Sequence, residues 1–348
     1  MRGPGAALGA VIWSHGKNRS VDRSHAPIDL YAAALRDAGW DVFRLNRALP
    51  SDNLDESPRA LGNAVDRLHG EDYHRIVLAG QSYGAWISIA LAGRRDDIHA
   101  VIATAPAAYG TWHSEDAGRA GQTQFYRNAS EFYDRLGEVR SARTMLFFFK
   151  QDDFDPGGRG ERSVRILRDR HVPSMVVDQP PDFVGHGSAH GGLFYRRYAA
   201  CIVAFVDPAA DPGKTACDTS WGTRPSNELP HPGDLKPLPD AATVPPPTMR
   251  FRGYWWGWFP NGREVAVVTE RLAESVATIA YIVGPGVTPD LKPGVSRRTG
   301  RLDADVLTFS ENGRPSLTLR PRQDGRLNLR WEAADRSSTL DAVLTRME

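Results

Sequence analysis

The chain has 348 residues, 41% of them hydrophobic and 24% charged, which suffices for one large buried core or two smaller ones. Lys and Arg number 43 against 42 Asp and Glu, and a net charge of +1 argues against a dedicated polyanion binder, whose affinity rests on many phosphate contacts. No nucleic-acid partner is therefore expected. No run of about 18 apolar residues occurs, so no membrane span is expected, and the Gly-rich start does not read as an intact signal peptide.

Residues 1–207 alternate strand and helix signals. Residues 10–13 are an apolar run that ends in Ser14-His15-Gly16. Ile28, Tyr31, Leu35 and Ala38 then recur at helical spacing until Gly39 stops them. Residues 42–45 read as a strand. Ser57-Pro58 reads as the N-cap and first-turn proline of a helix that carries Leu61, Val65 and Leu68 on one face. Further strands are expected at 76–79, 101–104, 145–149 and 175–178, and helices at 85–92, 130–136, 163–168 and 194–205. Continuous apolar strands between amphipathic helices imply the α/β class, a mostly parallel sheet with helices on both faces.

Residues 208–247 hold ten prolines and no apolar periodicity, the composition of a Pro-rich linker or strap. From residue 249 short strands alternate with Asn261-Gly262, Asn312-Gly313 and Asp324-Gly325, each favouring a tight hairpin. Strands are expected at 264–269, 276–283, 317–319, 327–331 and 340–344. Residues 249–348 thus read as a small antiparallel β-barrel or sandwich. This segment contains no histidine and no cysteine, so it lacks the usual general base and a soft metal-ligand set, and is expected to be accessory.

The chemistry concentrates in the first part. Gly80-Gln81-Ser82-Tyr83-Gly84 sits between an apolar strand and a helical run, the context of a strained strand–elbow–helix turn that exposes a nucleophilic serine. The loop after the first strand, His15-Gly16-Lys17, is placed to supply a backbone N–H to an oxyanion, with the Tyr83 N–H as second donor. The His15 ring is expected to hold that loop while the Lys17 N–H donates. A carboxylate that orients the base is sought after the fifth strand, where Asp152, Asp153 and Asp155 compete. The base itself must come later, and His186 and His190 lie between the last strand and the last helix.

Lys17, Arg19 and Arg23 stand on the loop beside the expected site, and residues 113–124 are long and polar enough for a short lid. Cys201 and Cys217 have no zinc spacing; no metal or other cofactor is expected, and a disulfide between them implies an extracytoplasmic compartment, periplasmic or secreted.

Residues 10–207 resemble the α/β-hydrolases, specifically the dienelactone-hydrolase-like branch. The resemblance is carried by Val11-Ile12-Trp13-Ser14-His15-Gly16, by Gly80-Gln81-Ser82-Tyr83-Gly84-Ala85-Trp86, and by Ala100-Val101-Ile102-Ala103-Thr104-Ala105-Pro106. In that family the acid turn commonly has an aromatic two residues after the aspartate and a proline four after it. Phe154 and Pro156 favour Asp152 on that count, and Gly185-His186 matches the family's loop ending in Gly-His. Two departures stand out. Dienelactone hydrolases proper use cysteine where this elbow has Ser82, and the chain starts at what would be the family's third strand. Residues 249–348, opening Arg252-Gly253-Tyr254-Trp255-Trp256-Gly257-Trp258, are loosely similar to lipocalin-type barrels.

The resemblance implies a serine hydrolase that cleaves a small-molecule acyl bond, carboxylesterase-like or thioesterase-like. Ser82, Asp152 and His186 would be the triad, with Lys17 and Tyr83 amides as the oxyanion hole. A different class competes with it. The aromatic run 254–258 would suit a ligand- or carbohydrate-binding protein whose hydrolase domain has degenerated.

Overall fold

Six short apolar strands pair in parallel. They are β1 (Ala10–Ser14), β2 (Asp41–Leu45), β3 (Ile76–Gln81), β4 (Ile98–Thr104), β5 (Arg143–Phe148) and β6 (Ser174–Asp178), in the spatial order β2-β1-β3-β4-β5-β6. The computed structural model describes residues 1–18, 20–111, 119–155, 158–217, 225–236, 238–287, 290–311 and 313–347, without the side chains of 119–123 and 247. Alternate residues of the central strands serve opposite faces, as a pleated strand requires. Ile12, Leu78, Val101, Ala103, Leu146 and Phe148 join one core with helices α2 (Glu56–Gly70), α3 (Tyr83–Ala92), α4 (Arg119–Glu138) and α5 (Arg159–Asp169). Trp13, Ala79, Ile102 and Phe147 are equally buried but stand outside that core. Phe147 instead meets Tyr198 of α6 (Gly192–Val206) edge-on, ring centroids 5.1 Å apart, and Trp13 Nε1–H donates to Asp29 at the head of α1 (Leu30–Asp37). Both faces of the parallel sheet are thus covered, which is why its strands read as unbroken apolar runs.

The expected elements differ from the observed ones in identifiable ways. Ser57 does not cap α2. Asn53 Oδ1 accepts the N–H groups of Asp55 and Glu56, so the helix begins one residue before Ser57, whose hydroxyl donates to Asp52 inside the fold. α4 runs well past the 130–136 expected for it. Of the stretch read as a lid, residues 113–118 lie outside the described residues, as do Arg19, Pro156 and Asn312.

The chain divides into two compact units, residues 1–190 with 198–218, and residues 191–197 with 219–348. The second unit is a closed antiparallel barrel. Its strands are β7 (Tyr254–Trp258), β8 (Glu264–Leu272), β9 (Val276–Val283), β10 (Gly294–Asp303), β11 (Val306–Phe309), β12 (Ser316–Pro321), β13 (Leu327–Glu332) and β14 (Thr339–Met347). Pairing of β14 with β7 closes it, so no strand is left as a bare edge. β10 carries no sequence signal, and β11, although Leu307 and Phe309 alternate inward, is not among the expected strands. The inward positions of β10 are Arg298, Gly300 and Leu302, so the apolar alternation that marks a half-buried strand is missing.

The aromatic run of β7 splits between two faces. Trp255 enters the barrel core beside Phe259 and Leu344, whereas Trp256 packs outside with Leu229, Val268 and Ile282. Leu229 belongs to the Pro-rich segment, which is pinned to the barrel where Ser226 N–H donates to Glu264 at 2.8 Å. Trp255 and Trp256 are therefore taken up in packing, and Trp258 is half-buried beside the outer layer. The same segment ends in a 3-10 turn at Ala241–Thr243 and the short α7 (Pro246–Met249). No helix among the described residues is long and apolar enough to cross a membrane.

Cys201 on α6 and Cys217 are disulfide-bonded, their Cα atoms 5.0 Å apart. The bond closes a loop that the unfolded chain would otherwise sample freely, which stabilises by about 3 kcal/mol for a loop near 15 residues. Titration of the unreduced, denatured protein should find no free thiol. Reduction should lower the urea midpoint of the first unit by a corresponding amount.

Candidate active site

The order of the sheet changes direction at β1. The chain passes from β1 to β2 on one side, then returns to place β3 on the other. Loops leaving the carboxyl ends of β1 and β3 therefore diverge and leave a crevice, the position where open α/β sheets receive ligands. Ser82 stands there, between the end of β3 and the start of α3. Its backbone is held at φ 55°, ψ −117°, a conformation that L-residues avoid. Neighbouring contacts over-determine it. Ser82 N–H donates to Thr104 O at 2.9 Å, and Ser82 O accepts from Trp86 and Ala107 N–H at 3.0 and 3.2 Å. The flanking glycines have no room for a side chain. A Cβ on Gly84 would fall 2.0 Å from Ser14 O, and one on Gly80 would fall 2.5 Å from the Gly84 carbonyl carbon.

Three side chains from separate loops meet at this elbow. Ser82 Oγ lies 2.7 Å from His186 Nε2, and His186 Nδ1 lies 2.8 Å from Asp152 Oδ1. Asp152 is buried on the turn after β5, where the same oxygen accepts Phe154 N–H at 2.9 Å. The Phe154 ring covers the imidazole at a centroid distance of 4.2 Å. Gln81 Nε2–H donates to His186 O at 3.1 Å, tying the histidine loop to the residue before the serine. The arrangement can pass a proton from a hydroxyl to an imidazole whose tautomer is set by a carboxylate.

The competing candidates go elsewhere. Asp153 is exposed, and Asp155 turns inward to pair with the buried Arg159 at 3.2 Å. Arg159 also donates twice to Pro106 O at 2.9 Å, so it clamps the Asp152 turn to the end of β4. His190 Nδ1 lies 2.5 Å from Asp29 Oδ1, away from the serine relay. That hydrogen bond is the main reason its pKa is raised above the ordinary imidazole value.

The loop after β1 lies against the elbow, since a Cβ on Gly16 would fall 2.4 Å from Gln81 Oε1 and 3.2 Å from Ser82 Cβ. Tyr83 opens α3, so its N–H has no acceptor within the helix. The Lys17 Nζ stands 5.4 Å from the Tyr83 ring centroid. His15 Nδ1 lies 2.8 Å from Gly16 O, and burial, followed by the nearby Arg47 charge, lowers its pKa.

Arg47 escaped the sequence reading, because nothing in 45–55 forms a motif. Its buried guanidinium donates to the His15 carbonyl oxygen and to Asp52, and lies 5.0 Å from the Tyr83 ring centroid. A cleft of about 580 Å³ opens over the elbow, lined by Ser82 and His186 and by Trp13, Ile28 and Phe154 among others. Among the described residues no group of three or more His, Cys, Asp or Glu side chains is placed to hold a metal ion.

No family model matches the chain, and no curated protein matches it. Solved structures similar to it include a puromycin-hydrolyzing peptidase from Mycobacterium tuberculosis, at 17% identity and a TM-score of 0.43 over 58% of this chain. The match spans only 35% of that peptidase's own length. An esterase from Pyrococcus furiosus is 13% identical, with a TM-score of 0.42 over 58% of this chain and 84% of the other. A truncated carbohydrate esterase from gut microbiota is 13% identical, with a TM-score of 0.45 over 58% and 85%. Roles for the residues therefore rest on their own geometry.

Two outcomes follow from the charge placement. Asp155→Asn removes the carboxylate paired with the buried Arg159 guanidinium, with Asp178 the remaining negative charge nearby, and should cost about 3 kcal/mol of stability, whereas Asp153→Asn should leave the denaturation midpoint unchanged. Because the His190 pKa is raised in the folded state, its pairing with Asp29 stabilises fully below the reference value of 6.5. The contribution is lost as pH climbs through the raised value. The Tm difference between the wild type and His190→Gln, followed against pH, should shrink in that direction.

Proposed function

We propose that the first unit is a serine hydrolase of the α/β-hydrolase kind that cleaves an ester bond of a small molecule. The observation that carries this reading is the unbroken hydrogen-bonded relay from Ser82 Oγ through His186 to Asp152, set on a strained elbow at the start of a helix. Ser82 Oγ attacks the acyl carbonyl carbon as its proton passes to His186 Nε2. Asp152 keeps Nδ1 protonated and stabilises the imidazolium that forms. The tetrahedral oxyanion accepts from the backbone N–H groups of Lys17 and Tyr83, and the N-terminus of α3 favours the same negative charge.

His186 then protonates the leaving oxygen, and the carbonyl re-forms as the Ser82 ester. Water, deprotonated by His186, attacks that ester and frees the acid with Ser82 restored. A thioester would follow the same course with sulfur leaving. Arg47 acts on the oxyanion loop through the His15 carbonyl and touches no reacting atom.

The Asp152-x-Phe154 turn and the Gly185-His186 loop support a place in the dienelactone-hydrolase-like branch, with serine where those enzymes proper use cysteine. We read the barrel as an accessory unit of lipocalin-like build, since Ser82, Asp152 and His186 all belong to the first unit and the barrel segment has no histidine.

Ser82→Ala should lower p-nitrophenyl butyrate turnover by about 10⁶-fold while Tm stays within a degree or two of the wild type. Asp152→Asn should lower kcat by about 10⁴-fold. A fluorophosphonate should label the wild type on Ser82, as read by peptide mass spectrometry. Turnover undiminished in Ser82→Ala rules this reading out.

A further inference from the structure

The cleft holds a second aspartate–histidine pair that the acyl chemistry does not use. Asp29, only 4% exposed, holds the N-cap position of α1, but its carboxylate makes no capping bond and instead accepts from two donors, Trp13 Nε1–H at 3.3 Å and His190 Nδ1–H at 2.5 Å. This grip fixes the His190 ring and leaves Nε2 as its free corner, without a hydrogen-bond partner among the described residues. The side chain is 51% exposed and lines the same cleft as Ser82. The ring packs against Gly187, where a Cβ would sit 3.4 Å from its Cδ2.

Two histidines four residues apart thus face one cavity, each with Nδ1 on a buried aspartate. His186 Nε2 meets the serine hydroxyl, whereas His190 lines the cavity with its Nε2 unengaged. Lys17 and Arg23 line the same cleft, and Asp29 is the one carboxylate among its described lining residues. That carboxylate is already engaged by His190. Positive charge therefore exceeds negative charge on the wall, next to a serine placed to react.

We propose that the cleft takes esters bearing a carboxylate, which accepts a hydrogen bond from His190 Nε2–H in a field supplied by Lys17 and Arg23. The inference rests on Ser82 being the nucleophile, and it adds the class of substrate to that reading. Asp29 has the complementary task of holding the imidazole in place and keeping it protonated over a wider pH range, in line with the direction of its pKa. A charge-assisted donor of this kind contributes more than a neutral one, and its surroundings make it sensitive to salt.

The test compares kcat/KM for neutral p-nitrophenyl butyrate with that for mono-p-nitrophenyl glutarate, whose carboxylate is on the acyl side, and for 4-acetoxybenzoate, whose carboxylate is on the leaving group. At low ionic strength at least one anionic ester should be preferred. His190→Gln should lower the anionic-to-neutral ratio about tenfold. Arg23→Gln, which leaves the Asp29 grip intact, should lower it less, in the same direction. Free glutarate should slow fluorophosphonate labelling of Ser82 in the wild type and do so weakly in His190→Gln.

If Ser82 labels and butyrate is turned over, but neither anionic ester is favoured or the ratio is unmoved in both variants, the carboxylate subsite is wrong and the hydrolase reading stands. If Ser82 does not label and no ester is turned over, the hydrolase reading falls and the substrate class falls with it.

Discussion

The structure turns on the backbone of Ser82. A serine held at φ 55° costs about 1–3 kcal/mol, and it persists only because its surroundings leave no alternative. All ten residues of α3 are buried, so the helix cannot shift to relieve the turn. The end of β1 presses against Gly84, and Thr104 and Ala107 hold the serine's own N–H and C=O. Strain here has a geometric result. The turn lifts the side chain out of the sheet and points it at the crevice that the change of strand direction leaves open.

Around that fixed point the loops are held by buried charge. Arg47 secures the loop after β1, Arg159 the turn after β5, and Asp29 the last residue of the histidine turn. Each of these groups would be costly to bury alone, and each is matched by an opposite charge or a carbonyl. Loops carry unsatisfied backbone groups that apolar packing cannot fix in one conformation, whereas a guanidinium with two or three acceptors can. Among the described residues of the first unit, the buried charged side chains Asp29, Arg47, Asp52, Asp152 and Arg159 accordingly stand on or beside these loops, with Asp41 the exception.

The barrel solves a different problem. Its eight strands close on themselves, and β7 supplies aromatic side chains to both the interior and an outer apolar layer. Leu229 and Leu235 of the Pro-rich segment lie over that outer layer. Glu264 is the polar anchor beneath, accepting from Ser226 N–H and from the indole of Trp256. A stretch with no periodicity thus gains order from what it packs on.

The sequence by itself determined the features that depend on neighbours along the chain. Unbroken apolar strands announced a doubly covered parallel sheet, Asn-Gly and Asp-Gly marked hairpins, and five residues from Gly80 to Gly84 spelled a strand–elbow–helix turn. Other features depend on partners far away in the chain, and these only the tertiary structure decided. Asp152, Asp153 and Asp155 are equal by residue chemistry, and only the resemblance favoured Asp152; the physical reason that it is the one to reach His186 lies in Arg159 drawing Asp155 inward and solvent taking Asp153. His186 and His190 likewise part company because Asp29, more than 150 residues earlier, takes one of them. β10 stayed invisible because an arginine paired with Glu311 and a glycine occupy its inward positions. Local patterns record the hydrophobic periodicity of an element, but the choice among equivalent polar groups is made by burial and long-range pairing, and neither is written in the spacing of residues.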